Sequence, residues 1–263
     1  YADLVVVMKG QGDGTFANPT FTKTTPVGDG PRALALGDFD RDGRTDLAVA
    51  NIEAGNVFIL PGNGDLTFGQ LPRRLSDRQA TAVVLDDFNR DLKTDMAVVH
   101  DSGSGSVLLG RADGTFGNEI PLSYVFPGAI FIASADFDGD GRRDLAVAST
   151  GTFYTYGAGA VTVFLGEGDG TFRQQTPFQA GLNPIALAGG DYNREGMEDL
   201  SVASLGSGNV TVTFGDGTGH FEHPVVYAVG DFPFWIDSVD LDRDGALDLV
   251  VANGENAAAG FGI

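Results

Sequence analysis

The sequence predicts an all-β chain, a β-propeller of about five four-stranded blades, and three observations carry that prediction. Two short motifs recur five times each and alternate along the chain. Their spacing is near 50 residues, the length of a four-stranded propeller blade, whereas the common helical repeats are mostly shorter. No stretch sustains the 3.6-residue apolar period of an amphipathic helix.

The first motif reads DFDRDGRTDLAVA from Asp38, DFNRDLKTDMAVV from Asp87, DFDGDGRRDLAVA from Asp136, DYNREGMEDLSVA from Asp191 and DLDRDGALDLVVA from Asp240. Successive copies are 49, 49, 55 and 49 residues apart. The second motif reads GQGDGTF from Gly10, GNGDLTF from Gly62, GRADGTF from Gly110, GEGDGTF from Gly166 and, more loosely, GDGTGHF from Gly215.

Within the first complete repeat, Ala33 to Asp38 and Asp46 to Ala50 are short and apolar on both faces, as expected of inner strands sandwiched between neighbouring sheets. Val57 to Gly62 reads as a third strand, and the more polar Thr67 to Leu71 as an outer fourth. The glycine-rich turn between them is hairpin chemistry, because glycine takes positive φ without a steric penalty. In Asp46 to Ala50 the side chains of Leu47 and Val49 point one way and those of Ala48 and Ala50 the other, so one face is thin enough for blades to converge on an axis. The chain opens on a third strand and its turn, and closes after a second strand at Asp248 to Asn253. Pairing Val5 to Val7 beside Leu249 to Val251 would complete one blade and remove two exposed edges, so closure of the ring by N- and C-terminal strands is expected. Residues 1–263 then form a single domain; the alternative is an excerpt of a larger ring.

The first motif has the chemistry of a metal loop. Asp38, Asp40, Asp42 and Asp46 surround Gly43 at spacings of two, two and four, and the Arg44 main-chain carbonyl adds a further oxygen. Alternate inward carboxylates around a tight glycine turn are how proteins wrap hard Ca²⁺ in oxygen. An EF-hand is excluded, since there the closing acid falls six residues after the glycine and helices flank the loop. Soft-metal sites are excluded too: there is no cysteine, and the 3 histidines lie outside the loops. The other loops offer Asp87, Asn89, Asp91 and Asp95; Asp136, Asp138, Asp140 and Asp144 with the Arg142 carbonyl; Asp191, Asn193, Glu195 and Asp199; and Asp240, Asp242, Asp244 and Asp248 with the Ala246 carbonyl. The expectation is three to five calcium ions. Loops one, three and five are complete, and the second is expected to be weakest because Leu92 stands where the others have glycine and resists positive φ.

Composition bears on partners. The net charge is −20, which repels phosphate backbones and disfavours nucleic acid. Half of the 36 acidic residues occupy the ligand positions of the five loops, so much of this charge is expected to be metal ligand rather than a field for attracting partners. No apolar run approaches the ~20 residues that cross a bilayer, and the opening ten residues carry no basic stretch of the kind that starts a signal peptide.

Taken together, the DFDxDGxxDLAVA loops and GDGTF turns resemble the FG-GAP repeat, also called the VCBS repeat, of integrin α subunits and many bacterial extracellular proteins. The resemblance covers nearly the whole chain. It implies a calcium-stabilised propeller, extracellular or at the cell surface, with metal loops between the first and second strands of each blade. Members serve in adhesion, in sugar binding and in some lyases, so the fold alone leaves the ligand open.

Strand parity places both motifs at one end of the blades and the variable loops at the other. The third blade's variable loop, Ser149 to Ala160, is longest and carries Phe153, Tyr154 and Tyr156; the sole tryptophan, Trp235, follows a nearby crossing. Loop aromatics flanked by glycine offer large contact area at low entropic cost, which suits a protein- or glycan-binding surface; the plain alternative is that aromatics plug gaps between blades. His100, His220, Glu222 and His223 form no recognisable catalytic constellation, and no nucleophile elbow, zinc-protease helix or phosphate loop occurs. Two functional classes follow: a non-enzymatic module binding an extracellular protein or glycan, or a polysaccharide-acting enzyme on the same scaffold.

Overall fold

A computed structural model describes residues 4–13, 15–16, 25–69, 73–75, 79–123, 125–151 and 159–254. Among them every regular element is a strand. Strands β1 (Leu4–Val5) and β2 (Thr25–Pro26) pair with each other. Four antiparallel sheets follow, each with its strands in chain order. The first holds β3 (Pro31–Gly37), β4 (Asp46–Asn51), β5 (Asn56–Leu60) and β6 (Arg73–Leu75). The second holds β7 (Ala80–Asp86), β8 (Asp95–His100), β9 (Ser104–Leu108) and β10 (Ile120–Pro121). The third holds β11 (Ala129–Ala135), β12 (Asp144–Ser149), β13 (Ala160–Gly166) and β14 (Phe172–Gln174). The fourth holds β15 (Pro184–Gly190), β16 (Asp199–Ser204), β17 (Asn209–Gly215) and β18 (Phe221–Ala228). Strands β19 (Pro233–Val239) and β20 (Asp248–Asn253) form a final pair. The fourth strand of the first sheet is Arg73–Leu75 rather than Thr67 to Leu71, because Phe68 only closes the turn through a single bridge to Gly62.

The core lies between sheets. Strands β4, β8, β12 and β16 are buried at every residue, as strands covered on both faces must be. The thin alanine face of β4 works as the pattern implied: Ala48 and Ala50 share a cluster with Val83, Met96 and Val98 of the second sheet. On the opposite face Leu47 and Val49 pack with Val27 and Leu60, and Val5 covers them. Each first strand carries a bulge at the same register, from Pro31/Ala33 through Pro233/Trp235. A bulge increases local twist, and its five-fold recurrence gives each sheet the same curvature.

The expected closing pair is not formed among the described residues. Leu4 pairs with Pro26 and Val5 with Thr25, while β20 pairs only with β19, so Val5 to Val7 do not lie beside Leu249 to Val251. The reason is geometric. Each half-blade is anchored through its face, β1 on the first sheet and β19 on the fourth, and whether their edges meet depends on the rotation accumulated over four sheets. No residue pattern within a repeat specifies that sum.

Close backbone approach dictates the first glycine of the four turn motifs that lie in full sheets. A Cβ on Gly62, Gly110, Gly166 or Gly215 would stand 2.0, 2.2, 2.3 or 2.3 Å from the carbonyl oxygen of Thr45, Thr94, Arg143 or Glu198. Gly166→Ala is therefore expected to cost about 1 to 3 kcal/mol in denaturant titrations, as overpacking against fixed backbone does. Gly117→Ala, whose Cβ would meet nothing nearer than 3.5 Å, should change stability little. Equal effects would contradict this reading.

Candidate metal centres

The five Asp-rich loops join the first and second strands of their sheets and are wound alike. In loop one the Asp42 amide donates to Asp38 Oδ1 and Asp40 Oδ1, both at 3.1 Å, and the Gly43 amide donates to Asp38 Oδ2 at 3.0 Å. The same three bonds recur around Asp87, with the Asp91 and Leu92 amides as donors. They recur again around Asp136, with Asp140 and Gly141, and around Asp191, with Glu195 and Gly196. The fifth loop repeats them with Asp244 and Gly245 around Asp240. The first and third side chains are thus fixed by backbone donors before any ion is considered. Leu92 takes φ of 62° and keeps the shared winding; its side chain is exposed and meets no neighbour that would forbid the conformation. The penalty expected at that position is therefore confined to the residue's own backbone.

Oxygens converge in three loops. Carboxylates of Asp38, Asp40 and Asp42, of Asp136, Asp138 and Asp144, and of Asp240, Asp242 and Asp248 each gather within 4.8 Å. These are the loops whose sequences are complete. In loop two Asn89 and in loop four Asn193 replace a carboxylate, and Asn193 Nδ2 donates to Glu195 Oε1 at 2.7 Å instead. Three loop cations pair within their own loop, Arg44 with Asp42, Lys93 with Asp91 and Arg142 with Asp140, whereas Arg194 reaches Asp244 of the next loop. An all-oxygen set of three carboxylates in a rigid turn suits a hard divalent cation, and in loop three the ninth position, Asp144, gives the set a buried member.

That ninth residue does more than the sequence pattern indicated. Asp46 accepts from the Phe39 amide at 2.8 Å and from the Gly62 amide at 2.7 Å, tying both ends of the loop to the turn after the third strand. Asp95 does the same with Phe88 and Gly110, Asp144 with Phe137 and Gly166, and Asp199 with Tyr192 and Gly215. Asp248 holds only the Leu241 amide, because no third strand follows it among the described residues. The recurrence of Gly one strand after each Asp was the available signal. Burial pushes the Asp95 and Asp144 carboxyls up to about 6, and neighbouring loop carboxylates add to this while the two amide bonds oppose it. Asp138 is also raised, first by burial and then by Asp140.

The family described as FG-GAP-like repeat matches the chain five times, at residues 2–49, 38–98, 87–147, 136–202 and 191–251. The chain belongs to the FG-GAP-like repeat family. Each match runs from one Asp-rich loop through the second strand of the next, apart from the first, which begins at the N-terminal half-blade. Among solved structures, the V. cholerae biofilm matrix protein Bap1 is similar at a TM-score of 0.53 and 16% identity, covering 89% of this chain and 37% of that one. Crystal structures of BBS1N in complex with ARL6DN, soaked with mercury or lead, are similar at a TM-score of 0.47 and 12% and 14% identity; they cover 86% of this chain and 78% and 76% of those chains. No curated protein matches the chain at a significant level.

In this FG-GAP chain the two repeated motifs lie at one end of the sheets, as the Asp46 to Gly62 bond requires. At the opposite end a cleft of about 950 Å³ is lined by Ser207, Asp231, Phe232 and Asn253 among others. Phe153, Tyr154 and Tyr156 lie outside the described residues. Trp235 lies on the first strand of the last pair, half exposed, its ring edge-on to Phe131 at 5.5 Å. No helix among the described residues is long and apolar enough to cross a membrane.

A carboxyl whose folded pKa is raised above its unfolded value of about 3.9 stabilises the fold while protonated, and that contribution is lost as pH rises through the folded value. For Asp144 the window runs from the ordinary carboxylate range to about 6. In chelator, the stability advantage of the wild-type chain over Asp144→Asn should shrink as pH rises through that window. An advantage that stays constant or grows would contradict the assignment.

Proposed function

We propose that this chain is a calcium-stabilised FG-GAP module that acts outside the cell as a non-enzymatic binding or adhesion surface for protein or glycan. The observation that carries the calcium part is the shared winding of five loops with carboxylate oxygens gathered in three of them. Asp38, Asp40, Asp42 and Asp46 with the Arg44 carbonyl, and their counterparts in the other loops, would hold the ions. Bound calcium would supply positive charge where burial and mutual repulsion disfavour ionised carboxylates, and so fix each loop to its sheet. An extracellular setting agrees with this, since millimolar calcium there keeps weak sites filled, and the V. cholerae neighbour is named a biofilm matrix protein.

The recognition surface is assigned to the end opposite the metal loops. Its support is the cleft beside Asp231 and Phe232, and the long third-blade loop that carries Phe153, Tyr154 and Tyr156. Trp235 belongs to the same aromatic set. Nucleic acid is disfavoured by the net charge of −20.

Removal of calcium should lower the melting temperature, and each site contributes about 2.7 kcal/mol when free calcium exceeds its dissociation constant ~100-fold. Titration calorimetry should find three to five ions, with Asp138→Ala costing more than Asn89→Ala. A melting temperature indifferent to chelator contradicts the calcium reading. On a glycan and protein array, Tyr154 and Tyr156 replaced together by Ala should weaken capture by about 1 to 3 kcal/mol while melting is unchanged. Earlier melting with capture intact would assign the pair to the core.

A further inference from the structure

The turn motif of the fourth full sheet departs from the other four, and a cavity opens beside it. In those four the threonine before the phenylalanine donates its amide and its hydroxyl to the aspartate two residues earlier: Thr15 to Asp13, Thr67 to Asp65, Thr115 to Asp113 and Thr171 to Asp169. In the fourth sheet the same pair of bonds sits two residues further back. Thr218 donates to Asp216 Oδ1 from its amide at 2.8 Å and from its hydroxyl at 2.6 Å, and the place held by Thr171 passes to His220. The hairpin itself is kept, because the Asp216 amide donates to the His220 carbonyl at 3.1 Å just as the Glu167 amide donates to that of Thr171 at 2.9 Å.

The cavity lies between the third and fourth sheets and measures about 320 Å³, within the roughly 300 to 1,000 Å³ of small-ligand clefts. Gln175 and Phe178, just beyond β14, line one side; Asp216, His220, Phe221 and Glu222 line the other. Phe178 exchanges two backbone bonds with Val161, at 2.8 and 3.0 Å, and its ring stacks on Phe221 with centroids 5.7 Å apart, so the apolar wall is fixed. The Gln175 amide donates to the Val163 carbonyl at 2.8 Å, which holds its backbone on the sheet. Its side chain is 8% exposed, and Nε2 is buried with no hydrogen-bond partner among the described residues. Leaving a buried donor unpaired costs about 1 to 3 kcal/mol. The last torsion of a glutamine is broad, so a turn of the amide brings this donor into the cavity it lines. Across from it, the Thr218 hydroxyl holds the Asp216 carboxyl below the ordinary carboxylate range, which keeps it an ionised acceptor at neutral pH, and Glu222 adds a second, exposed carboxylate.

We infer that this cavity binds one neutral sugar ring, at a site separate from the surface assigned above and independent of it. The ligand class follows from the groups that face each other. One side carries a donor with nothing to bond, the other carries two carboxylates that only accept, and between them lies a pair of phenyl rings. A hydroxyl donates and accepts at once, so neighbouring hydroxyls of a single pyranose satisfy both sides while its C–H face covers the rings. His220 stands at the rim with a ring nitrogen for a further hydroxyl. A cation would meet the carboxylates and leave the Gln175 donor unpaired. An anion would meet that donor but be repelled by Asp216 and Glu222, in a chain whose net charge is already −20.

The side-chain amide of Gln175 reports on the cavity alone, so sugar bound at the opposite end of the sheets leaves it unmoved. Methyl α-glucoside, methyl α-mannoside and methyl β-galactoside are titrated in turn into the isotope-labelled chain, and amide proton–nitrogen spectra are recorded. At least one should shift the Gln175 side-chain resonances with saturation. His220→Thr restores the residue of the other turns and so keeps the hairpin; it should weaken that sugar about five- to tenfold, as the loss of a hydrogen bond does, and Glu222→Gln should act likewise. No response of Gln175 to any of the three glycosides overturns the proposal. So does a response of equal affinity in the wild-type chain and both variants. Methylguanidinium moving the same resonances when no glycoside does would assign the cavity to a cation, and that result overturns it too.

Discussion

One buried carboxylate in each full sheet ties the start of the Asp-rich loop and the end of the third strand to the start of the second strand. Asp144 is the clearest case: its two oxygens take the Phe137 amide at the start of the metal loop and the Gly166 amide at the end of the third strand, both at 2.7 Å. Two backbone donors on one carboxylate stabilise its ionised form, yet burial opposes that charge and wins on balance, so the group sits near a titration point rather than safely ionised. A cation in the adjoining loop would tip the balance toward the ionised state. In the third sheet the carboxylate that clamps the two amides also belongs to the set of converging loop oxygens.

The two sequence motifs are coupled through this carboxylate and through the junctions between sheets. The first glycine of the turn motif is required because the chain before the aspartate passes within contact of where its Cβ would be. The terminal phenylalanine of the same motif serves the previous sheet, where it meets the loop aromatic edge-on. A repeat is thus incomplete by itself in both directions, which is why its strands are buried on both faces only when a neighbour is present.

Most of this architecture could be read from residues. The strand order within a sheet follows from apolar runs and turn glycines, and the three loops with converging oxygens are those with aspartate at every expected place. What escaped the residue pattern depends on distance. The fourth strand of the first sheet lies beyond Phe68, which reaches Gly62 through a single bridge only. The closing pair is not formed among the described residues, where β1 pairs with β2 and β20 with β19, and no residue pattern within a repeat encodes how distant half-blades meet. The double duty of Asp46, Asp95, Asp144 and Asp199 was hidden because an aspartate that clamps amides and one that binds metal look alike in a sequence. Leu92 showed the opposite limit: a residue disfavoured at positive φ adopts it where the rest of the loop leaves no alternative.

Native-state hydrogen exchange at the turn glycines tests the clamp most directly. If the buried carboxylates hold the sheets together, the amides of Gly62, Gly110, Gly166 and Gly215 should exchange only through global unfolding, at the protection level of the central strands. Exchange at these four amides as fast as at the exposed turn residue Thr171 would contradict the account.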